Sequence, residues 1–141
     1  MMISTRGRYA LRVLVDLAEH TGGFVPMKDV AARQGISKKY MEQIMALLVK
    51  DGYVEGVHGK GGGYQLTREP DEYTVWEVLQ AAEGDMAPVA CLEQNAEPCP
   101  RASECRTLPM WKDYYDTTRS FFEERTISDL MAASPADNYV I

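Results

Sequence analysis

The feature that most narrows what this chain can fold into is the stretch over residues 28–67, where the hydrophobic spacing changes period midway. Residues 28–34 read as a short helix that buries Val30 and Ala31. Gly35-Ile36-Ser37 is a tight turn, and Ser37 carries the short acceptor side chain that suits a helix N-cap. Residues 38–50 place Met41, Ile44, Leu47 and Leu48 at helical spacing until Asp51-Gly52 stops the run. Residues 53–58 are then strand-like, Gly59-Lys60-Gly61-Gly62-Gly63 forms a turn, and residues 64–67 give a second strand. Two helices joined by a Gly-containing turn and followed by a hairpin predict a helix-turn-helix at about 28–51 with a wing at 53–67. The fold class expected is mainly α with a small β-hairpin, a winged helix.

The flanking segments extend this unit. Residues 5–20 carry Ala10, Leu11, Leu14, Leu17 and Ala18, one stripe of an amphipathic helix, and Thr21-Gly22-Gly23 is expected to end it with a glycine in the left-handed position. Phe24-Val25 reads as extended, and Pro26 suits the start of the next helix. Thr74-Val75-Trp76-Glu77 has the form of a capping box. It opens a fourth helix with Val75, Val78, Leu79 and Ala82 inward, closed by Gly84. A longer helix over 110–125 carries an aromatic stripe, Thr126-Ile127-Ser128-Asp129 caps a last short one, and the tail is expected to fray. The organisation expected is a winged-helix domain at 1–84, a cysteine loop at 88–109, and a helical appendage at 110–133. No stretch approaches the roughly 20 apolar residues that span a bilayer. Arg12 and Asp16 also interrupt the apolar run over 9–18, so a cytoplasmic location with no membrane partner is expected.

A net charge of −6 argues against a nucleic-acid partner only if it is evenly spread. It is segregated: residues 1–68 hold ten Lys/Arg against six Asp/Glu, residues 69–141 five against fifteen. That asymmetry suits a chain of which one half meets phosphates. Ser37, Lys38, Lys39, Tyr40, Glu42 and Gln43 cluster at the start of the third helix, away from its apolar face. Gln bonds adenine bidentately, Glu accepts from cytosine, and Ser or Tyr holds phosphate. Arg6 and Lys28 add basic reach from the first two helices. The Gly59–Gly63 turn does not match a nucleotide P-loop, because Lys60 is followed by Gly and then by a strand. It reads instead as a wing tip with His58 and Lys60 as polar contacts, and four glycines in five positions exceed what a plain turn needs. Double-stranded DNA is therefore the expected partner.

Cys91, Cys99 and Cys105 are the only cysteines, spaced Cys-x7-Cys-x5-Cys. An odd number in one loop argues against a disulfide scaffold and for metal or redox chemistry. Structural zinc sites favour closely paired cysteines and four ligands, so zinc fits poorly. Iron–sulfur clusters, [2Fe-2S] or [4Fe-4S], tolerate wider loops and a fourth ligand other than Cys. A cluster-free thiol switch is the alternative. The aromatic stripe Trp111, Tyr114/Tyr115, Thr118, Phe121/Phe122 is expected to pack on a second subunit, with Trp111, Tyr114, Thr118, Phe121 and Phe122 at a homodimer interface. No set of residues suggests an active site, and no enzymatic activity is expected.

Several motifs together resemble the IscR/NsrR/CymR, or Rrf, family of bacterial winged-helix regulators, over nearly the whole chain. They are Ile3-Ser4-Thr5-Arg6-Gly7-Arg8-Tyr9-Ala10, Arg33-Gln34-Gly35-Ile36-Ser37, Tyr40-Met41-Glu42-Gln43, Gly59-Lys60-Gly61-Gly62-Gly63-Tyr64 and Thr126-Ile127-Ser128-Asp129-Leu130. The resemblance implies transcriptional regulation by a homodimer on a palindromic operator, with Tyr40, Glu42 and Gln43 near the bases. It implies that Cys91, Cys99 and Cys105 bind an iron–sulfur cluster that senses iron–sulfur, redox or nitric oxide status; with an exchangeable fourth ligand, protein prepared in air is expected to be largely free of it. Two departures leave the fourth ligand unassigned. Leu108 stands where the IscR branch has a histidine, and Arg8 stands where some NsrR-type proteins have an aspartate. Solvent, a small ligand, Glu93, Glu97 or Glu104 could fill that position. The CymR branch, cluster-free and controlling cysteine metabolism with a partner enzyme, is the alternative. A small iron–sulfur carrier without a DNA role is the remote one.

Overall fold

The computed structural model describes residues 2–132; the expected fraying of the tail, and the last residue of the 110–133 segment, fall outside the described residues. Helices α1 (Thr5–Ala18), α2 (Met27–Gln34) and α3 (Lys38–Lys50) are followed by an antiparallel hairpin, β1 (Val54–Val57) and β2 (Gly63–Leu66). A 3-10 turn at Pro70–Glu72 leads to α4 (Val75–Glu83). After a second such turn at Ala90–Leu92 come α5 (Leu108–Glu123) and α6 (Ile127–Leu130). The hairpin pairs Val54 with Leu66 and Val57 with Gly63, and a bridge from Val25 to Tyr64 adds the extended Phe24-Val25 stretch to its edge.

Local capping sets most of the boundaries. The hydroxyl of Ser37 accepts from the Tyr40 amide, Gly35 takes the left-handed conformation after α2, and Thr74 with Glu77 forms the expected capping box. Thr126 and Asp129 form another at α6. Several boundaries differ from expectation by a residue or two, including the end of α5 at Glu123, and two of the differences have a plain local reason. Helix α1 ends at Ala18 with Glu19 in the right-handed region, so Gly22, at φ 106°, serves the following turn and not the helix cap. Helix α5 starts at Leu108, because Pro109 is tolerated in a first turn where no intrahelical N–H partner is needed.

The core is continuous through α1, α2, α3 and α4: Val13, Leu14, Val30, Met41, Ile44, Leu48 and Val78 are fully buried. Leu11, Ala31 and Leu47 lie at its margin, while Val13, Met45 and Trp76, outside the expected stripes, are buried. Tyr73 is the largest fully enclosed side chain. Its hydroxyl donates to the Tyr53 carbonyl at 2.7 Å and accepts from the amides of Thr67 and Arg68, so the end of the wing is stitched to the start of α4. Ile127 brings α6 back into the same core, and the Val75 amide donates to the Arg125 carbonyl, which fixes the C-terminal end of α5.

Candidate nucleic-acid interface and cysteine segment

The start of α3 presents Lys38, Lys39, Glu42 and Gln43 to solvent, with Ser37 exposed as the cap and Tyr40 half-buried. The Tyr40 ring meets Tyr9 of α1 edge-on, with centroids 5.3 Å apart, and the Arg12 guanidinium lies over Tyr9 at 5.0 Å. Arg12 also donates to the side chain and the carbonyl of Gln34. Helix α1 therefore runs beside the first turn of α3, and Arg6, three residues before Tyr9 and so on the same side of α1, is exposed on that flank. Tyr9 and Arg12 escaped the sequence reading; the available signal was an aromatic standing beside the buried Ala10–Leu14–Leu17 stripe, within the basic Arg6/Arg8/Arg12 run.

Behind this surface Asp16 is 2% exposed and receives a forked contact from Arg33, with Nη2 at 2.7 Å and Nε at 3.0 Å, plus the Gln34 amide at 2.9 Å. Burial opposes ionisation of Asp16, but the hydrogen bonds from Arg33 and Gln34 and the guanidinium charge outweigh it, holding the carboxyl below its ordinary value. The clamp pins α2, and hence the turn into α3, to α1.

In the wing, His58 and Lys60 are exposed at the tip, and Lys28 is exposed in the first turn of α2. The glycines answer to the hairpin itself. Gly59 and Gly61 have φ of 95° and 78°, and a Cβ on Gly62 or Gly63 would overlap the carbonyl of Val57 or Val25. The expectation that four glycines exceed the needs of the turn is thereby corrected. Arg68 anchors the base of the wing, paired with Glu77 at 2.6 Å and lying over the rings of Tyr53 and Tyr73.

The cysteine segment joins α4 to α5. Cys91 sits in the 3-10 turn, Cys91 and Cys99 are exposed, Cys105 is half-buried, and all three are free thiols. The Thr107 hydroxyl, 3.5 Å away, and next the amides of Thr107 and Leu108 at the start of α5 lower the Cys105 thiol below its ordinary value. As a donor set, three uncommitted thiols fit an iron–sulfur cluster. They are not gathered: among the described residues, no three Cys, His, Asp or Glu side chains stand close enough to share one metal ion. Glu93, Glu97 and Glu104 are exposed, and Leu108 offers carbon only.

The aromatic stripe of α5 divides between two faces. Tyr115 and Phe122 pack against the cluster of Val75, Trp76, Leu79 and Met86, with Tyr115 6.0 Å from the Trp76 ring; Trp111 and Thr118 are half-buried. Met110, Tyr114 and Phe121 point away and are 53, 46 and 49% exposed. The structure thus packs Phe122 against α4, while among the described residues Tyr114 meets only Trp111 of its own helix and Phe121 only Phe122 and the Arg125 guanidinium, 3.6 Å from its ring, which leaves their outer faces open. Met110, absent from the expected set, shares their face, at a spacing of 4 and then 7 residues along the helix.

A helix-turn-helix with an exposed polar start to its second helix, flanked by a wing and carried on the basic half of the chain, defines a winged-helix DNA-binding protein. The Rrf2 family model, described as an iron-dependent transcriptional regulator, matches residues 3–133, and the chain belongs to the Rrf2 family of transcriptional regulators. It is 39% identical over 132 residues to Protein rrf2 of Nitratidesulfovibrio vulgaris, covering 93% of this chain and 87% of that protein. It is 36% identical to the HTH-type transcriptional regulator IscR of Aliivibrio salmonicida, covering 93% and 77%. The structure is similar to that of CymR (YrzC), the global cysteine regulator of B. subtilis, with TM-score 0.74, 31% identity, and 92% and 95% of the two chains covered. It is also similar to T. potens IscR, with TM-score 0.73, 29% identity, and 99% and 97% covered. No helix among the described residues is long and apolar enough to cross a membrane.

Proposed function

We propose that this regulator acts as a homodimer on an inverted-repeat operator, and that an iron–sulfur cluster held by Cys91, Cys99 and Cys105 sets its DNA affinity. The observation that carries this reading is the set of three free thiols confined to the segment between α4 and α5. The likeness to IscR supports it. Base contacts are assigned to Tyr40, Glu42 and Gln43, and phosphate contacts to Arg6, Lys28, Ser37, Lys38, Lys39, His58 and Lys60. A bound cluster supplies a centre that reacts with oxidants and nitric oxide. The chain supplies the thiolates, with Cys105 eased toward ionisation by Thr107 and the Leu108 amide, and has to draw the segment together to use all three.

A second reading is favoured by one specific pair of observations: the thiols stand apart, and Leu108 gives no ligand. It makes the chain a cluster-free, CymR-like regulator of cysteine metabolism answering to thiol oxidation or to a partner protein. Reconstitution with iron and sulfide in the absence of oxygen separates the two. The cluster reading expects a brown protein with charge-transfer absorption and bound iron, colourless after Cys99→Ala, and largely metal-free when prepared in air. Absence of iron in a protein that still binds its operator hands the function to the thiol reading. A duplex without the operator serves as competitor: equal retention of both duplexes would leave only a carrier without a DNA role.

A further inference from the structure

The first turn of α1 is capped from across the fold. Ser4 is its N-cap, and its hydroxyl accepts from the Gly7 amide at 3.4 Å. In a capping box the residue three positions on returns a carboxylate to the N-cap amide. Here that position is Gly7, and the carboxylate comes from Glu83 at the end of α4: its Oε1 accepts from the Ser4 amide at 2.9 Å and the Ser4 hydroxyl at 2.7 Å. Gly7 is buried, and a Cβ there would overlap that same oxygen. The glycine leaves the space Glu83 occupies, and the negative charge lies at the positive end of α1.

Glu83 is also joined to the cysteine segment. Gly84 follows with φ 82° and ψ −134°, a conformation open essentially to glycine. It directs Asp85 so that its two oxygens accept from the amides of Ala87 and Gln94, at 2.9 and 2.8 Å. Gln94 lies between Cys91 and Cys99, so the backbone that spaces those two thiols is anchored at Asp85. A cleft of about 140 Å³ lined by Ile3, Glu83, Asp85, Met86 and Ala87 leaves this junction room to shift.

We propose that Glu83 is a positioning residue for DNA binding: it completes the cap of α1, holds Arg6 toward the duplex, and through Gly84-Asp85 ties that end of α1 to the cysteine segment. The inference rests on the reading that the start of α1 faces DNA. The measurements use the full-length, reduced, metal-free protein, a mixed-sequence duplex, and amide hydrogen exchange at residues 4–8. Glu83→Ala is expected to speed exchange at Ser4 and Gly7 and to reduce the slope of log affinity against log salt by about one, the loss of one phosphate contact. Glu83→Gln keeps the acceptor oxygen and should stay close to the parent. Gly7→Ala should reproduce Glu83→Ala, yet add little on top of it, because the obstructing oxygen is then gone. Alkylating the thiols with iodoacetamide should alter exchange at residues 4–8 in the parent and not in Asp85→Ala. Unchanged exchange in Glu83→Ala overturns the cap. Faster exchange with an unchanged salt slope overturns the DNA-facing role, and alkylation without effect on the parent overturns the tie. No arm uses iron, so failed reconstitution would sink the cluster reading and leave this one standing.

Discussion

Asp16 and Glu77 both hold carboxyls below their ordinary values, and each fastens part of the recognition unit. For Glu77, burial again opposes ionisation, and Arg68 with the Thr74 cap outweighs it. A group depressed in the folded state stabilises fully above its unfolded pKa, about 3.9 for Asp and 4.3 for Glu, and loses that contribution as pH falls through the folded value. The melting temperature should therefore drop as pH is lowered from about 5 toward 3, and more shallowly in Asp16→Asn. At neutral pH that variant should cost about 1.5–3 kcal/mol, the scale of hydrogen bonds to a charged group, as read by urea denaturation. On the DNA side, Gln43→Ala should cost about 1–3 kcal/mol and relax preference at one base position. Lys60→Ala should weaken all sequences alike and flatten the salt dependence. Competition binding on a panel of single-base operator variants checks both, and full specificity in the Gln43 variant would move the recognition face elsewhere. The polar start of α3 was legible because a capping Ser37 after a Gly turn fixes which residues sit in the first turn. Asp16 was not, since a charged residue in an apolar stripe reads as surface until Arg33 and Gln34 are seen to close over it. The Tyr9–Tyr40 contact was hidden too, because it depends on how α1 crosses α3.

Among the elements, α5 shows most clearly what one-dimensional spacing leaves out. Helical periodicity identified an aromatic helix, and Trp111 to Phe122 cover enough of its circumference to serve two faces. Only the packing of α4 shows that Tyr115 and Phe122 meet Trp76 while Met110, Tyr114 and Phe121 do not. The element pattern elsewhere was readable because caps and periodicity agree: Ser37, the Thr74–Glu77 box and the Thr126–Asp129 box each sit where a buried stripe begins. What was missed is mostly non-local, such as the bridge from Val25 to Tyr64, although the start of α5 at Leu108 has the local reason that Pro109 suits a first turn. The two faces of α5 make opposite predictions. Phe121→Glu should leave stability almost unchanged while sedimentation reports a monomer and operator affinity falls, as expected if the outer face forms the proposed dimer. Phe122→Ala should lower stability by about 2–3 kcal/mol, somewhat under the usual cost for a fully enclosed Phe, because this ring is only half-buried. A Phe121→Glu protein that sediments as a dimer would place the interface elsewhere.

At the scale of the whole molecule, an acidic chain binds a polyanion only if its charges are kept apart, and the fold does this. The basic half contains α1 to β2, whereas the acidic excess begins at Glu69, and residues 69–84, with the 3-10 turn and α4, carry five Asp/Glu and no Lys/Arg. If α5 joins two copies through Met110, Tyr114 and Phe121, the two recognition helices are related by a two-fold axis. Each α5 is fixed to its own DNA-binding unit at the C-terminal end, by the Val75–Arg125 backbone bond and by Ile127 in the core, so the unit follows the helix. Such a dimer is a ruler. It should select an inverted repeat with half-site centres roughly 34 Å, or a multiple of it, apart. Inserting about five base pairs between the half-sites turns one of them to the far side of the duplex, and affinity should fall to that of a single half-site. Inserting about ten restores the facing but lengthens the span, so binding should recover only as far as the joint between subunits yields. Gel retardation across a graded spacer series reads this directly. Affinity independent of the spacer would mean that the two units bind without a fixed connection, which a rigid α5 joint cannot accommodate.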